Sequence, residues 1–455
     1  MNNWRIYNTN KCEWKKWISI TGLCNNNCLF CLDGNRSDKF HKDKDKIIGM
    51  IIDAKKKGYT KLVLSGGDPT INPNLINFVR LAKRLKFSKI QVITNGRMFS
   101  NKEFTQKIIS AGLDEVTFSI HGHTQEIHDY LTRVNGSFDQ LIKGIKNVQE
   151  LKKEVVINTD TCVTEKNYMY LVEIVEFIVS SLKINEINLM SLVPEGNSWK
   201  NKDSIMCSFD VVSPYIKKVI DLSLKKKVVL WLSRFPEEYL EGYESFIEDP
   251  CKRVDDVEAR IDFLKDTINP SCRGDKCFYC ILNKLCHKFV KINSVRSSEK
   301  SNQKKRFDTE VVLKRNNYKN LKDLVSSHKT NLLKFHPPTK NVEDYKNLIP
   351  GMYELVEYLK EIDEKNVYIE GVPICILNKG GIKNINHISD ESIDYSNYIK
   401  SGIKDYFGLA RDLALNVKTK RLVCKECLYF ERCEGVYLNY IRIFGFKELV
   451  PCTRR

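Results

Sequence analysis

Between residues 17 and 193, short segments rich in Val and Ile alternate with segments whose apolar residues recur at helical spacing. The strand candidates are 17–21, 61–65, 89–94, 115–120, 155–161 and 186–192. Between them run helical stripes such as Ile47, Ile48, Ile51 and Ile52, stopped by Gly58, and Leu75, Phe78, Val79 and Ala82. Six strands in strict alternation with helices predict a parallel sheet with right-handed crossovers. The expected fold class is α/β, a partial (β/α)6 TIM-like barrel with its site at the C-terminal strand ends. The strands are expected to be buried on both faces.

The first loop of that face holds Cys24-x3-Cys28-x2-Cys31. Three thiolates on one short loop can hold a cubane iron–sulfur cluster and leave one iron open to a ligand. A zinc knuckle or three free thiols is the plainer alternative, although structural zinc usually takes four ligands. The chain has 16 cysteines, and its first residues, Met-Asn-Asn-Trp-Arg, lack an apolar signal core. That usage predicts metal rather than a disulfide framework, and a cytoplasmic protein with no membrane span. The other predicted strand ends carry polar turns: Gly66-Gly67-Asp68-Pro69, Thr94-Asn95-Gly96, Ser119-Ile120-His121-Gly122 and Val193-Pro194-Glu195-Gly196. The two glycines let backbone approach a ligand, and Asp68 is expected to pair with an ammonium group.

With Phe30 just before its last cysteine, the loop resembles that of the radical S-adenosylmethionine (radical SAM) family, over about residues 14–200. The resemblance implies that Cys24, Cys28 and Cys31 hold a [4Fe–4S] cluster whose open iron is chelated by S-adenosylmethionine. Gly66, Gly67, Asp68 and Pro69 resemble the family's Gly-Gly-Glu-Pro segment, which holds the cofactor's amino group; Asp replaces the commoner Glu. Thr94, Asn95 and Ser119 resemble positions near its ribose and carboxylate, and Asn158 stands where the fifth strand contributes. His121, His123 and His128 are read as a hydrogen-bonded structural cluster, with a catalytic or substrate role for His121 the alternative. Arg133 binds a carboxylate or is a solvated surface residue.

Beyond the core barrel, 1–200, the expected organisation is a cysteine-rich region at 201–290, a charged linker or loop at 291–325, and a second cysteine-rich domain at 326–455. The first group is Cys272, Cys277, Cys280 and Cys286, with Cys251 in reserve; the second is Cys375, Cys424, Cys427 and Cys433, with Cys452 in reserve. Helix, strand, proline and C-x2-C-x5-C occur twice in that order, the mark of an internal duplication. The spacing also resembles the auxiliary-cluster extensions, SPASM or twitch, of radical SAM peptide-modifying enzymes. The resemblance therefore implies one or two auxiliary [4Fe–4S] clusters, a peptide or protein substrate, and a flavodoxin or ferredoxin as reductant; with no clear leader-binding domain ahead of the core, either a separate partner delivers the peptide or the substrate is small. The alternative is radical chemistry on a small metabolite or nucleotide, as in GTP cyclisation, although the Gly-Gly end of that group is replaced by Pro451-Cys-Thr-Arg-Arg455. The net charge of +17 raises a third reading, a zinc-stabilised nucleic-acid-binding module. The lysines are spread along the whole chain, so nucleic acid is not the expected partner.

Overall fold

The computed structural model describes residues 15–34, 39–151, 154–249, 252, 275–279, 307–325, 329–335, 346–362, 365–388 and 416–453. The chain divides into two compact units; residues 15–235 and 275–279 belong to the first, and 236–252 and 307–453 to the second.

The first unit is built on a parallel sheet in sequential order: β1 (Lys15–Thr21), β2 (Lys61–Gly66), β3 (Lys89–Thr94), β4 (Glu115–Ser119), β5 (Val156–Cys162), β6 (Glu186–Met190) and β7 (Val229–Ser233). The six expected strands fall where the alternation placed them. The seventh corrects the boundary at 200, because β7 pairs with β6 from Glu186↔Val229 to Met190↔Ser233. The crossover helices are α1 (Lys44–Lys56), α2 (Leu75–Arg84), α3 (Lys102–Ser110), α4 (Gln125–Thr132), α5 (Ser137–Glu150) and α6 (Leu171–Glu176). After β6 come the short α7 (Gly196–Lys200) and α8 (Lys202–Ile205), then α9 (Phe209–Lys226). In α2 the whole predicted stripe is buried, and in α1 Ile47, Ile51 and Ala54 are.

The central strands β2 to β4 are buried on both faces, as expected, but the two faces differ in polarity. Ile18, Ile20, Leu62, Leu64, Ile90 and Val92 are fully buried on the helix-covered face. The opposite face is a hydrogen-bonded polar layer. Lys61 Nζ donates to Glu115 Oε2 at 2.7 Å, Asn158 Nδ2 to Glu115 Oε1 at 2.8 Å, and Gln91 Nε2 to Thr117 Oγ1 at 2.6 Å. Further along, Asn188 Nδ2 donates to Asp160 Oδ1 at 3.0 Å and Ser233 Oγ to Asn188 Oδ1 at 2.7 Å. These polar residues are satisfied by one another across the strands, which is what permits them inside a sheet.

The second unit contains a four-stranded parallel sheet in the order β11-β10-β9-β8, with β8 Thr309–Val312, β9 Asn331–Lys334, β10 Val367–Glu370 and β11 Asn386–Ile388. A two-stranded antiparallel ribbon, β12 (Lys418–Thr419) and β13 (Val436–Tyr437), stands beside the C-terminal cysteines in sequence. Strand β8 corrects the expected linker at 291–325 over its described part. It also extends the duplication upstream. After β5, Thr164 N donates to Asn167 Oδ1 at 2.7 Å and Asn167 Nδ2 to Cys162 O at 2.9 Å; after β8, Lys314 N donates to Asn317 Oδ1 at 2.8 Å and Asn317 Nδ2 to Val312 O at 2.9 Å. A tyrosine and a one-turn 3-10 helix follow in both, at Tyr168–Tyr170 and Tyr318–Asn320. The next strand ends match as well: Ser191 N donates to Ser233 O and Phe335 N to Glu370 O, each at 3.0 Å. The residues after β7 and β10, Arg234 and Gly371, both have positive φ (66° and 85°). The stretch β8–β10 thus repeats β5–β7. In that register Pro373 and Cys375 correspond to Pro236 and Glu238. Among the described residues no helix is long and apolar enough to cross a membrane.

The buried Lys61–Glu115 pair gives a direct test of the polar layer, since both side chains are about one-tenth exposed. Lys61→Met leaves an uncompensated carboxylate and is expected to cost about 3 kcal/mol in urea unfolding. Adding Glu115→Leu is expected to recover part of that loss.

Candidate functional site

The chain leaves β1 through an irregular register between Ser19 and Thr21 and enters the cysteine loop. The loop is stapled at its base, where Thr21 bridges His41, Gly22 N donates to Phe40 O at 3.0 Å, and Lys42 N donates to Ile20 O at 3.1 Å. On one side lies the segment after β2: Gly67 N donates to Thr21 O at 2.8 Å and Asp68 N to Leu23 O at 2.7 Å. A Cβ on Gly67 would collide with the Leu23 carbonyl, and one on Gly66, whose φ is +134°, with the Thr21 carbonyl. This close approach explains why both positions are glycine.

Other braces come from residues the sequence reading did not single out. Asn197 Nδ2, in α7, donates to Cys28 O and Asn201 Nδ2 to Leu29 O, each at 2.9 Å, while Asn197 N donates to Cys31 O at 2.8 Å. From the end of α4, Thr132 O accepts from Asn27 N at 3.1 Å and Leu131 O from Leu29 N at 2.9 Å. Arg97 donates through Nη1 to Asn25 O and, at 3.1 Å, to Asn26 Oδ1. Phe30 is buried with Leu131, Leu192 and Ile205, which anchors the loop by its aromatic residue.

The three thiols influence one another electrostatically. Burial, then the Asp68 carboxylate, pushes Cys24 up to about 12; burial, then Cys31 and Cys24, pushes Cys28 well above the ordinary thiol range. Three sulfurs on one pinned loop, with Cys24 and Cys28 costly to ionise without a compensating cation, fit a cationic iron cluster that deprotonates its ligands on binding. Asn26 N already points at Cys24 Sγ at 3.3 Å. Cys162, at the end of β5, lies near enough to raise Cys28 further.

Several of the expected cofactor-binding side chains are hydrogen-bonded within the protein. Asp68 is buried, and its carboxylate accepts from Thr70 N at 2.9 Å, from the Thr70 hydroxyl, from Thr94 Oγ1 at 2.9 Å and from Asn95 N at 2.8 Å. It is therefore occupied within the protein and does not present itself to an ammonium group, which corrects that expectation. Thr94 is likewise occupied, donating to Asp68 and accepting from Gly96 N at 3.0 Å. Asn158 lies in mid-strand within the polar layer, bonded to Glu115 and Thr117, rather than at the strand end. Pro69 is buried and opens a short 3-10 turn. Asn95 stays at the loop: its Nδ2 donates to Asn25 Oδ1 at 2.6 Å and reaches Cys24 Sγ at 3.8 Å. Ser119 is half-buried at the end of β4, opposite Asp160 of β5.

The structural reading of the histidines holds for two of them. His121 and His128 stack at 5.7 Å, His128 Nδ1 accepts from His121 N at 3.2 Å, and His121 Nδ1 accepts from Cys162 N at 3.3 Å. His121 also meets Phe30 edge-on at 4.5 Å, so the pair underlies the cysteine loop. His123 lies apart from that stack, tilted against Tyr170 at 5.7 Å. Arg133 is exposed and closes α4 in a left-handed conformation.

In the second unit, Cys375, Cys424, Cys427 and Cys433 line one cavity together with Lys420 and Phe430. Backbone amides face two of the sulfurs: Gly435 N donates to Cys433 Sγ and Cys452 N to Cys427 Sγ, each at 3.4 Å. Four sulfurs around a cavity with N–H···S bonds fit a four-iron cluster. Cys452 lies beside this set, with Asn378 Nδ2 at 3.9 Å from its sulfur. Of the first group only Cys277 is described; Cys251, Cys272, Cys280 and Cys286 lie outside the described residues. Among the described residues no three His, Cys, Asp or Glu side chains close on a single point as the ligands of one ion do.

Residues 18–178 match the family model of the radical SAM superfamily. A protein of Saccharolobus islandicus named "Probable GTP 3',8-cyclase" is 30% identical over 215 residues, which is 46% of this chain and 66% of that protein. A protein of the same name from Sulfolobus acidocaldarius is 30% identical over 182 residues, 39% of this chain and 56% of that one. The chain thus spans just under two thirds of the length of these relatives. Among solved structures, Streptococcus suis SuiB bound to S-adenosylmethionine aligns at 18% identity and a TM-score of 0.42, covering 51% of this chain and 52% of that one. Methylornithine synthase (PylB) aligns at 17% identity and a TM-score of 0.37, covering 48% and 63%.

Two measurements test this site. Gly67→Ala is expected to displace the Leu23 carbonyl and cost about four irons per chain after anaerobic reconstitution. The histidine pair predicts a pH dependence of stability. Burial holds His128 down at about 4, against 6.5 when exposed, and His121 further below its ordinary range. The unfolded chain takes up protons below pH 6.5 and the folded His128 only near 4, so stability falls as pH drops through that window. His128 alone contributes up to about 3 kcal/mol of that loss. His128→Asn, which keeps an acceptor for His121 N, is expected to flatten the urea midpoint between pH 6.5 and 5.

Proposed function

Because the chain belongs to the radical SAM superfamily through residues 18–178, we propose that it is an enzyme that reductively cleaves S-adenosylmethionine and abstracts hydrogen from a small metabolite or nucleotide. The observation that carries the cleavage step is the pinned loop of Cys24, Cys28 and Cys31 at the C-terminal edge of the sheet. When bound there, a reduced [4Fe–4S] cluster supplies the electron that breaks the sulfonium bond to the 5′ carbon. The chain's own part is to hold three thiolates in fixed geometry, to seal the loop from beneath with Phe30 and the histidine pair, and to offer the Gly66–Gly67 backbone and Asn95 beside it.

The substrate class shifts from the peptide favoured on sequence grounds to the small-molecule alternative. The support is the likeness, at 30% identity over 215 residues, to proteins named for a reaction of GTP. The polar face of β4–β7, with Glu115, Asn158, Asp160 and Asn188, is consistent with a substrate bound by hydrogen bonds. A peptide substrate is kept as the second reading because of the cysteine cradle at Cys375–Cys433, and only that reading calls for a separate peptide-delivery partner. A flavodoxin or ferredoxin is the proposed electron donor for both.

The reconstituted chain with dithionite and S-adenosylmethionine is expected to form 5′-deoxyadenosine. Cys24→Ala/Cys28→Ala/Cys31→Ala is expected to lose about four irons and fall to background. With GTP present, nucleotide consumption in step with 5′-deoxyadenosine supports the nucleotide reading. Unchanged GTP alongside 5′-deoxyadenosine formation would remove GTP as the substrate. No cleavage by a fully iron-loaded chain would overturn the enzyme reading itself.

A further inference from the structure

Among the cations close in sequence to the C-terminal cysteines, Lys425 and Arg432 are exposed, whereas Lys418, Lys420 and Arg421 are partly buried and differ in how their charge is met. Lys418 Nζ is bound to Glu434 at 3.0 Å. Arg421 Nε donates to Glu241 Oε2 at 2.9 Å. Lys420 has no carboxylate partner among the described residues. Its Nζ donates to the Phe430 carbonyl at 2.6 Å and stands 4.0 Å from the centre of the Phe430 ring. Phe430 lies between Cys427 and Cys433 in the chain, so these contacts fasten the ammonium to the loop that carries the sulfurs. Lys420 also lines the same cavity as Cys375, Cys424, Cys427 and Cys433. A lysine in a helix or on open surface would find water or a carboxylate; this one is half-buried against a carbonyl and an aromatic face, with its full charge left for the cavity.

We propose that Lys420 is a positioning residue whose uncompensated charge raises the reduction potential of a cluster held by Cys375, Cys424, Cys427 and Cys433. The inference rests on reading the cradle as a cluster site. A cluster with four thiolate ligands is anionic, and reduction adds one further negative charge. A fixed cation at close range in a partly desolvated cavity favours the reduced form over the oxidised one. Burial alone, or a cation neutralised by its own carboxylate, would not supply that bias. The consequence is a cluster set to accept an electron from a flavodoxin-class donor or from the reaction.

The experiment is an EPR-monitored redox titration in a chain carrying Cys24→Ala, Cys28→Ala and Cys31→Ala, which removes the N-terminal signal. The signal followed is the one that Cys424→Ala/Cys427→Ala abolishes. Lys420→Met is expected to lower its midpoint potential, and Lys420→Arg to hold it near that of the parent chain. Glu434→Gln, which frees the charge of Lys418, is expected to raise it. A signal that is present and does not move in Lys420→Met or Glu434→Gln would overturn the role of Lys420 while leaving the cluster in place. If Cys424→Ala/Cys427→Ala removed neither iron nor signal, the cradle would hold no cluster, and the inference would fall with that reading.

Discussion

A single buried carboxylate fixes the geometry on which the cysteine loop depends. Asp68 accepts hydrogen bonds from Thr70, Thr94 and Asn95, and so locks the ends of β2 and β3 together. Its backbone N–H then reaches across to Leu23 O, one residue before Cys24. Asn95, held by the same carboxylate, touches Asn25 and approaches Cys24. An unpaired carboxylate would be costly at such a depth, and here every donor comes from the turns that need ordering. Burial raises Asp68 above the ordinary carboxylate range even so. The loop is therefore held in shape by the protein alone.

Much of the first sheet was legible because its information is periodic. The β-branched runs and stripes such as Leu75, Phe78, Val79 and Ala82 report burial directly. The polar face of the same strands was not legible, because residues such as Glu115 and Asn158 are satisfied by strands far away in sequence. For the same reason β7 was separated from the sheet it completes: no local pattern states that a strand at 229 pairs with one at 186. Around the cysteines, the C-x3-C-x2-C triad itself could be read from the sequence. Its supports could not, since Asn197, Asn201 and the end of α4 act through single contacts to backbone carbonyls and amides. An available signal for α4 was its cap, Thr124 accepting from Ile127 N ahead of Ile127 and Leu131 at helical spacing.

The site is layered by function. The loop and its glycine approaches form the proposed cofactor end. The His121–His128 stack beneath them answers to packing, with both rings kept neutral by burial. The open face of β5–β7, where Asp160, Asn188 and Ser233 form a chain of hydrogen bonds, is where a polar ligand could be discriminated.

The repeated stretch β5–β7 and β8–β10 has an evolutionary consequence. The copy begins downstream of β1, so it inherits a strand-end platform without the loop that carries the first three cysteines. Its asparagine turn and strand-end bonds were kept to within about a tenth of an ångström. The residue two positions past the shared proline differs: Glu238 in one stretch, Cys375 in the other. The platform thus behaves as a socket, indifferent to whether the group it offers is an oxygen or a sulfur. Selection could retool such a socket through a few nucleotide changes at one codon, while the strands beneath remained untouched.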